Sequence, residues 1–277
     1  MKTKFKIQAV VAGLIVLFQV SASYAGVPLN NVEGVGGIAF NPLAYTAGTP
    51  FDEGALKGVI NKPQFGIWRI RLNDVKADWT TQSVATTFFD RLELSYGNET
   101  IAQSGANNIH KNNLGLKGLL VKENAGDTNW VPAVSVGAIY KETSYAVSGD
   151  VKDHGYDYYA VATKLVTQLP RPVLFSAGVR STDARSTGVY GFGTKRDLIG
   201  FGNVDVILPG NVALGFEYQQ GAQVAGWKNK DYYDVHAAWL ANKNLTLVAA
   251  YVNTGDSNSS SKVGLGDGFV LSAHYAF

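Results

Sequence analysis

The chain contains many short stretches in which apolar residues occupy every second position, and this alternation constrains the fold more than any other feature. In "NVALGFEYQ" at residues 211–219, small or polar residues separate Val212, Leu214, Phe216 and Tyr218. A period of two is the side-chain repeat of a β-strand whose two faces meet different surroundings. The pattern recurs up to the last residue of the sequence, so it predicts an all-β protein.

Counting these stretches predicts about twelve strands, at residues 66–75, 78–88, 91–101, 113–122, 131–141, 156–166, 171–182, 198–208, 211–220, 231–240, 244–253 and 267–277. Some connections are short, as at Phe89-Asp90 and Pro209-Gly210, whereas others are long, as at 183–197 and 254–266. Outer-membrane barrels have short turns at one end and longer loops at the other. We therefore predict that residues 66–277 form an antiparallel up-and-down transmembrane β-barrel rather than a soluble β-sandwich, which would bury the apolar face against a second sheet.

The two faces of the predicted strands differ in chemistry. One face carries large apolar residues with aromatic residues near the strand ends, as expected of a lipid-facing surface; the aromatic residues are Trp79, Tyr96, Tyr140, Tyr159, Tyr218, Trp239, Tyr251, Tyr275 and Phe277. The other face carries small or charged residues. Its candidate lumen-lining residues are Arg69, Arg71, Glu93, Lys117, Lys164, Arg180, Glu217, Asp234, His236 and His274.

The closing stretch "FVLSAHYAF" resembles the assembly signal of outer-membrane barrels, with an aromatic residue at the carboxyl terminus. Its candidate signal residues are Phe269, Leu271, Tyr275 and Phe277. This reading implies the barrel-assembly machinery as a partner, and outer-membrane lipid and lipopolysaccharide as surroundings.

Residues 1–25 have the pattern of a signal peptide. Three lysines precede an apolar run from Ile7 to Val20, and small residues come before a cleavage site between Ala25 and Gly26. The alternative is a membrane anchor, but the run is shorter than the ~20 residues that a spanning helix needs. We expect export through the inner membrane, cleavage, and integral insertion into the bacterial outer membrane.

Residues 26–65 are rich in glycine and fit the strand pattern less well. They are expected to form a lead-in on the periplasmic side or a segment inside the lumen. An additional strand pair is also possible, but one added strand would make the strand count odd, which bacterial barrels avoid.

Charge and cysteine content exclude several classes of function. Without Lys2, Lys4 and Lys6 the chain has 21 basic and 22 acidic residues, which gives no argument for nucleic acid as a partner. The absence of cysteine excludes disulfide bonds and thiolate metal sites. We expect no cofactor.

The four histidines do not predict a metal or catalytic site. His236 and His274 face inward on strands separated by one other strand, roughly 10 Å apart, which is too far to share a metal ion. His110 and His154 lie in predicted loops. A lipase would need a Ser–His pair at the outer rim with an orienting group, and the sequence offers none. We expect no enzyme; the alternative is an outer-membrane lipid-modifying enzyme.

Four stretches resemble an uncharacterised bacterial family, the domain-of-unknown-function family three thousand and thirty-four. They are "VEGVGG" at Val32–Gly37, "DRLELSYGNET" at Asp90–Thr100, "LGLKGLLVKE" at Leu114–Glu123 and "NWVPAVSVGAIYKE" at Asn129–Glu142. The most specific element is Trp130-x-Pro132 leading into an alternating strand that ends at Tyr140-Lys141. The resemblance covers roughly the first half of the chain after residue 25. It implies an outer-membrane barrel and supplies no functional residues.

The charged inner face predicts a function. Glu217 and Asp234 lie on neighbouring strands, as do Lys164 and Arg180, so patches of opposite charge could line a narrow path. We predict a porin-like channel for small polar or weakly amphipathic solutes. The alternative is a non-conducting structural or surface-interaction barrel in which the same charges pair across the lumen.

Overall fold

The computed structural model describes residues 29–103, 105–146, 151–224, 226–256 and 263–277. The regular secondary structure in this part of the chain is almost entirely β-strand, with one short 3-10 turn at Ser186–Gly188. The strands are β1 (Gln64–Leu72), β2 (Ala77–Phe88), β3 (Leu92–Gln103), β4 (Ile109–Val121), β5 (Ala133–Thr143), β6 (His154–Val166), β7 (Val173–Ala184), β8 (Phe192–Leu208), β9 (Val212–Gln219), β10 (Gln223–Val224), β11 (Trp227–Lys228), β12 (Tyr232–Leu240), β13 (Leu245–Asn253) and β14 (Asp267–Ala276).

Twelve of these strands form a closed antiparallel barrel, which confirms the predicted fold and strand number. Each barrel strand pairs with its neighbour along the chain, and β1 pairs with β14 from Gln64 opposite Ala276 to Leu72 opposite Gly268. The two short strands β10 and β11 form a separate hairpin outside the barrel sheet. Closure satisfies the backbone groups of both terminal strands, so the sheet has no open edge.

The two ends of the barrel differ, and we name them by their connections. The turn end contains residues 89–91 and 209–211, and the loop end contains residues 220–224, 226–231, 254–256 and 263–266. At the turn after β8, Gly210 has φ +83° and Asn211 has φ +60°. Tight hairpins need such left-handed backbone, which glycine and asparagine adopt at low cost.

The outer surface of the barrel is apolar, and its inner surface is mostly polar. On β9, Leu214, Phe216 and Tyr218 are exposed, whereas Glu217 and Gln219 are buried inside. The same alternation holds around the barrel and fits an outer-membrane protein. Among the described residues, no helix has the length and hydrophobicity needed to cross a membrane.

Two aromatic residues predicted for the outer face point inward instead. Trp79 is 7 % exposed and Tyr159 is 4 % exposed. Trp79 packs in an apolar cluster inside the barrel, and Tyr159 packs in another. Their strands carry apolar residues on both faces, so alternation alone could not assign the side.

Candidate functional site

Residues 29–49, which precede the barrel strands, run inside the barrel; we call them the lumen segment. Almost all of them are buried. Phe40 packs against Tyr232 at the loop end, with ring centroids 6.1 Å apart. The Thr87 hydroxyl donates to the Ala47 carbonyl at 2.6 Å near the turn end. After Phe40, the segment therefore returns through the lumen towards the turn end, where it leads into β1.

The "VEGVGG" stretch forms a turn that lies directly on the barrel wall. The Asn31 side-chain oxygen accepts the Glu33 backbone N–H at 3.0 Å, which fixes the turn. Gly34 has φ +92°, and a Cβ atom there would lie 2.8 Å from the backbone of Tyr96 and Gly97 on β3. Only glycine fits this contact, since both the conformation and the close approach exclude a side chain.

The carboxylate of Glu33 projects into a buried group of charges on β5, β6 and β7. Lys141 forms ion pairs with Glu33 and with Asp157, the second at 2.6 Å. Arg180 lies 3.0 Å from Glu33 and 3.4 Å from Asp157. Arg180 also donates to the Phe40 carbonyl at 3.2 Å. Two cations and two anions balance, so the lumen segment supplies one of four mutually compensating charges.

The environment of Glu33 keeps this carboxyl ionised. Burial by itself raises the pKa of Glu33, whereas Arg180 and Lys141 lower it, and the result is a pKa of about 2. The two cations outweigh the loss of solvent because both lie within direct contact distance of the carboxylate. The ion pairs therefore persist at neutral pH.

A second group of contacts centres on Glu93 of β3 and Lys117 of β4, which lie 2.8 Å apart. Glu93 accepts the backbone N–H groups of Gly36 at 2.9 Å and Ala47 at 2.8 Å. Lys117 donates to the carbonyl oxygens of Gly36 at 2.9 Å and Tyr45 at 2.7 Å. One ion pair on the wall thus binds both the outgoing and the returning part of the lumen segment.

A third contact is made by Glu217 of β9 alone. Its carboxylate accepts three consecutive backbone N–H groups, from Ala39 at 3.0 Å, Phe40 at 2.9 Å and Asn41 at 2.9 Å. A carboxylate can accept several N–H bonds at once, and such charge-assisted bonds are stronger than neutral ones. Glu217 therefore fixes the tip of the lumen segment.

His236 lies beside this contact and is bound by carboxylates on both sides. Its Nδ1 lies 2.6 Å from Asp234 and its Nε2 lies 2.7 Å from Asp205. Among the described residues, no group of three histidine or acidic side chains is arranged to hold a metal ion. Both ring nitrogens of His236 are thus engaged in hydrogen bonds within the barrel wall.

His274 contacts the first described part of the lumen segment and a serine on its own strand. Its Nδ1 accepts the Asn30 backbone N–H at 3.3 Å, so Nε2 carries the proton and donates to Ser272 at 3.0 Å. Trp68 donates to the Asn30 carbonyl at 2.9 Å. A histidine in this tautomer cannot take a proton from Ser272, so the pair lacks the arrangement of a serine nucleophile and its base.

Two predicted lumen residues, Arg69 and Arg71, lie on the outside of the barrel, so that prediction is wrong. Their side chains are 72 % and 59 % exposed. Both contact Asp78 of β2, Arg71 at 2.7 Å and Arg69 at 3.8 Å. The reason is that β1 buries its other face, which carries Trp68 and alternating aliphatic residues, against the lumen segment.

Lys164 is also not a lumen residue. It lies opposite Phe175, whose side chain is exposed on the outer surface, so its position faces outward. Its ammonium group lies 3.1 Å from Glu123, which belongs to the connection at residues 122–132 of the turn end. The remaining seven candidates, Glu93, Lys117, Arg180, Glu217, Asp234, His236 and His274, are buried inside the barrel.

Sequence reasoning missed part of the lumen chemistry. Glu33 lies in a coil segment, where strand alternation gives no direction. Lys141 and Asp157 lie on the inner faces of β5 and β6 and could have been found from alternation with their tyrosine neighbours. Glu99 and Lys111 form another buried pair, 2.7 Å apart.

The four candidate assembly-signal residues face outward, three of them on β14 and Phe277 directly after it. Phe269, Leu271, Tyr275 and Phe277 are all exposed. The Phe277 ring packs edge-on against Phe65 of β1, with centroids 5.6 Å apart, at the seam that closes the barrel. The predicted signal peptide and its cleavage site at Ala25 and Gly26 lie outside the described residues.

A family model described as "Protein of unknown function (DUF3034)" matches residues 26–270, which include the lumen segment and nearly the whole barrel. The chain belongs to this family. The match shows that the lumen segment is part of the family's shared sequence and not an addition to it. No curated protein matches the chain in sequence.

Solved structures similar to this fold include two porins. The KdgM porin superposes with a TM-score of 0.55 at 12 % identity, covering 77 % of this chain and 99 % of the porin. The NanC porin gives 0.52 at 10 % identity, covering 77 % and 100 %. The outer membrane protein Omp33 of Acinetobacter baumannii gives 0.46 at 10 % identity, covering 80 % and 100 %. At these identities the likeness shows the barrel fold alone.

Proposed function

We propose that this protein is a porin-like channel of the bacterial outer membrane that is closed at rest by its own lumen segment. A small polar or weakly amphipathic solute passes when the segment shifts. The observation that supports this proposal is the mode of attachment: Glu93, Lys117, Arg180 and Glu217 hold residues 33–47 through hydrogen bonds and ion pairs. No covalent link is involved, so the attachment is reversible.

The polarity of these contacts favours a movable segment over a permanent filling. Apolar packing stabilises a fixed core at least as well as buried ion pairs, because ion pairs carry a large desolvation cost. When the segment moves, the same charges become hydrated and line a polar path, as in known channels. The charged wall is therefore suited to both states. The proposed role involves no catalysis.

The proposal includes the route to the membrane. Residues 1–25 direct export and are removed between Ala25 and Gly26, and the barrel-assembly machinery then recognises the closing strand. Outside the barrel, the two guanidinium groups of Arg69 and Arg71 share one contacting carboxylate, that of Asp78, near the loop end. We propose that this pair contacts anionic headgroups of lipopolysaccharide.

A second candidate is a non-conducting barrel with a structural or surface-interaction role. The observation that favours it is the number of strands that hold the lumen segment inside the barrel. Hydrogen bonds join the segment to β1, β2, β3, β4, β7 and β9. In that case the segment never moves, and the function lies in the connections predicted at 183–197 and 254–266, which would contact an outside partner.

An engineered disulfide bond that can be formed and reduced distinguishes the two candidate functions. The Ala44 backbone N–H donates to Thr163 on β6 at 2.8 Å, so the double variant Ala44→Cys/Thr163→Cys places two thiols at this contact in a chain that has no cysteine. In planar bilayers we expect brief openings of the wild type, none after oxidation of the double variant, and their return after reduction. The single variants under oxidant are the controls. A wild type that stays silent, or an oxidised variant that conducts like the wild type, would contradict the channel.

A further inference from the structure

Three carboxylates lie together on the inner face of β8, β9 and β12, where the lumen segment reaches its tip; we call Asp205, Glu217 and Asp234 the acidic wall. Glu217 lies opposite Asp234 in the register of β9 and β12. Asp205 joins them through His236, whose ring lies 2.7 Å from Asp205 and 2.6 Å from Asp234. Within the described ranges, no lysine or arginine forms an ion pair with any of the three carboxylates.

Gly215 of β9 makes the contact between His236 and Asp205 possible. It lies between these two residues in the register of β8, β9 and β12. A Cβ atom at this position would lie 2.3 Å from Asp205 Oδ1 and 2.3 Å from His236 Nε2. Because both ring nitrogens of His236 are engaged with Asp205 and Asp234, the imidazole does not compensate Glu217.

The other buried charges of the barrel strands are paired more evenly than the acidic wall. Lys111 contacts Glu99, and Lys117 contacts Glu93. Over the described strands, four buried cations stand against six buried carboxylates; they are Lys111, Lys117, Lys141 and Arg180, and Glu93, Glu99, Asp157, Asp205, Glu217 and Asp234. The wall therefore keeps an excess of negative charge even when His236 is protonated, and this excess comes from the acidic wall.

Two buried acceptor atoms lie beside Glu217 in the same row of the sheet. Asn203 of β8 and Asp234 of β12 are its register partners, one on each side. The side-chain oxygen of Asn203 and the Oδ2 atom of Asp234 are buried and have no hydrogen-bond partner among the described residues. The amide nitrogen of Asn203 donates to Asp205, which fixes the orientation of the amide. A buried acceptor without a donor is uncommon, and a molecule rich in N–H groups would satisfy this row.

The tip of the lumen segment shows which chemistry this row accepts. Ala39, Phe40 and Asn41 each donate a backbone N–H to the carboxylate of Glu217. A primary ammonium group also carries three N–H donors, and it adds the positive charge that the acidic wall lacks. Such a group can therefore replace the tip at Glu217, whereas a carboxylate would bring a like charge to a buried site.

We propose that the acidic wall selects small solutes that carry a primary ammonium group, and that the ammonium competes with residues 39–41 for Glu217. This names the solute class of the proposed channel and rests on that function for passage alone, because competition at Glu217 is measurable without conduction. An ammonium that binds only after the tip has left favours the displaced state of the lumen segment. The solute thus promotes the opening of its own path.

The test follows amide hydrogen exchange of Ala39, Phe40 and Asn41 in the full-length protein in lipid nanodiscs. Butylammonium, butanol or butyrate is added at pH 7 and constant ionic strength; an alkylamine is protonated at this pH. A ligand of the displaced state raises its population by the factor 1 + [L]/Kd, so we expect a saturable rise in exchange of about fivefold with butylammonium. Butanol and butyrate leave the exchange unchanged. Butyltrimethylammonium carries the charge without an N–H and gives a smaller rise.

A variant and its control locate the effect in the acidic wall. Asp234→Asn removes one negative charge, keeps an oxygen that accepts from His236 and leaves Glu217 in place, so it reduces the rise with butylammonium by about threefold. Asp78→Asn removes a carboxylate from the outer surface and leaves the rise intact. If Asp234→Asn does not fold, the comparison of the probes on the wild type decides.

Three results would overturn the proposal: no saturable rise in the wild type, an equal rise with butyrate, or a rise that a folded Asp234→Asn leaves unaltered. Conductance is recorded separately in planar bilayers. A silent bilayer with an intact response to butylammonium contradicts the channel and not the recognition of the ammonium group, so the two failures are distinguishable.

Discussion

Arg180 on β7 and Glu33 of the lumen segment form an ion pair inside the barrel, with 3.0 Å between Nη1 and Oε2, although 147 residues separate them. Both side chains are 2 % exposed. The pair joins a strand of the wall to a segment that has no strand partner of its own. The barrel therefore holds its N-terminal part by charge, and each charge in the contact can be removed separately.

Glu33→Gln tests this contact directly. Within the described ranges, the change leaves Asp157 as the one carboxylate in contact with Lys141 and Arg180, so one buried positive charge is uncompensated. Breaking a buried ion pair from one side costs about 3–5 kcal/mol. We expect backbone amides of residues 29–49 to exchange with deuterium much faster than in the wild type. Glu53→Gln, at an exposed position, is the matched control. Unchanged exchange in Glu33→Gln would show that the ion pairs do not hold the segment.

Glu217→Gln tests the contact at the tip. An amide offers one acceptor oxygen where the carboxylate offered two, and its NH₂ group faces backbone donors. The loss of a charge-assisted bond costs about 1.5–3 kcal/mol. We expect faster exchange confined to Ala39, Phe40 and Asn41. Glu142→Gln, on the exposed face of β5, should leave these amides unchanged. Equal changes in amide exchange in Glu217→Gln and Glu142→Gln would contradict the role of Glu217 in binding the three backbone N–H groups.

Acid should loosen the lumen segment through Glu33. Its pKa is about 2 in the folded protein and 4.5 ordinarily. The ionised carboxylate of Glu33 therefore contributes fully to the stability of the folded protein above its ordinary pKa. This contribution is lost as the pH falls towards 2. We expect the open fraction in bilayers to stay flat between roughly pH 8 and 5 and to rise below about pH 4.5. Glu33→Gln lacks this carboxylate, so its rise should be smaller. An identical acid response in the wild type and in Glu33→Gln would show that a group other than Glu33 causes the rise.

Alternation in the sequence predicts the barrel well because closure imposes it. Each strand has a lipid side and a lumen side, and a shift by one residue would exchange them. All twelve strands were predicted, with ends that differ by a few residues at most positions. The largest difference is β8, which begins at Phe192 and not at residue 198. Of its extra residues, Phe192 pairs with Ala184 and Asp197 with Thr182 of β7, and the register shifts between these two pairs, so alternation fails there.

Alternation predicts the lumen less well because it assumes that the inner face is polar. On β1 the inner face carries Trp68 and Ile70, which pack against the lumen segment, and the charges of Arg69 and Arg71 lie outside. The contact between Glu33 and Arg180 depends on a coil segment whose path only the folded chain defines. Local alternation of residues thus predicts the strands of the barrel wall. The contents of the lumen depend on contacts between residues far apart in the sequence.

Phe277→Ser tests the assembly signal. The ring of Phe277 packs against Phe65 at the barrel seam and lies 4.9 Å from Tyr275, centroid to centroid. We expect the variant to give much less folded barrel in outer-membrane fractions, measured by heat-modifiable migration in gels. Phe269→Ser removes an exposed aromatic residue from the loop end of the same strand and should have a weaker effect. A loss that is equal in both variants would indicate a general effect of exposed aromatic residues.

The central claim, that the lumen segment closes an otherwise conducting barrel, is tested most directly by removing the segment. A variant without residues 29–49, shown to be folded by heat-modifiable migration, is compared with the wild type by single-channel recording in planar bilayers. We predict steady conductance steps for the variant, because Glu93, Lys117, Arg180 and Glu217 then face water, and a mostly closed wild type. A folded variant that is silent, or a wild type that conducts as steadily as the variant, would contradict the claim.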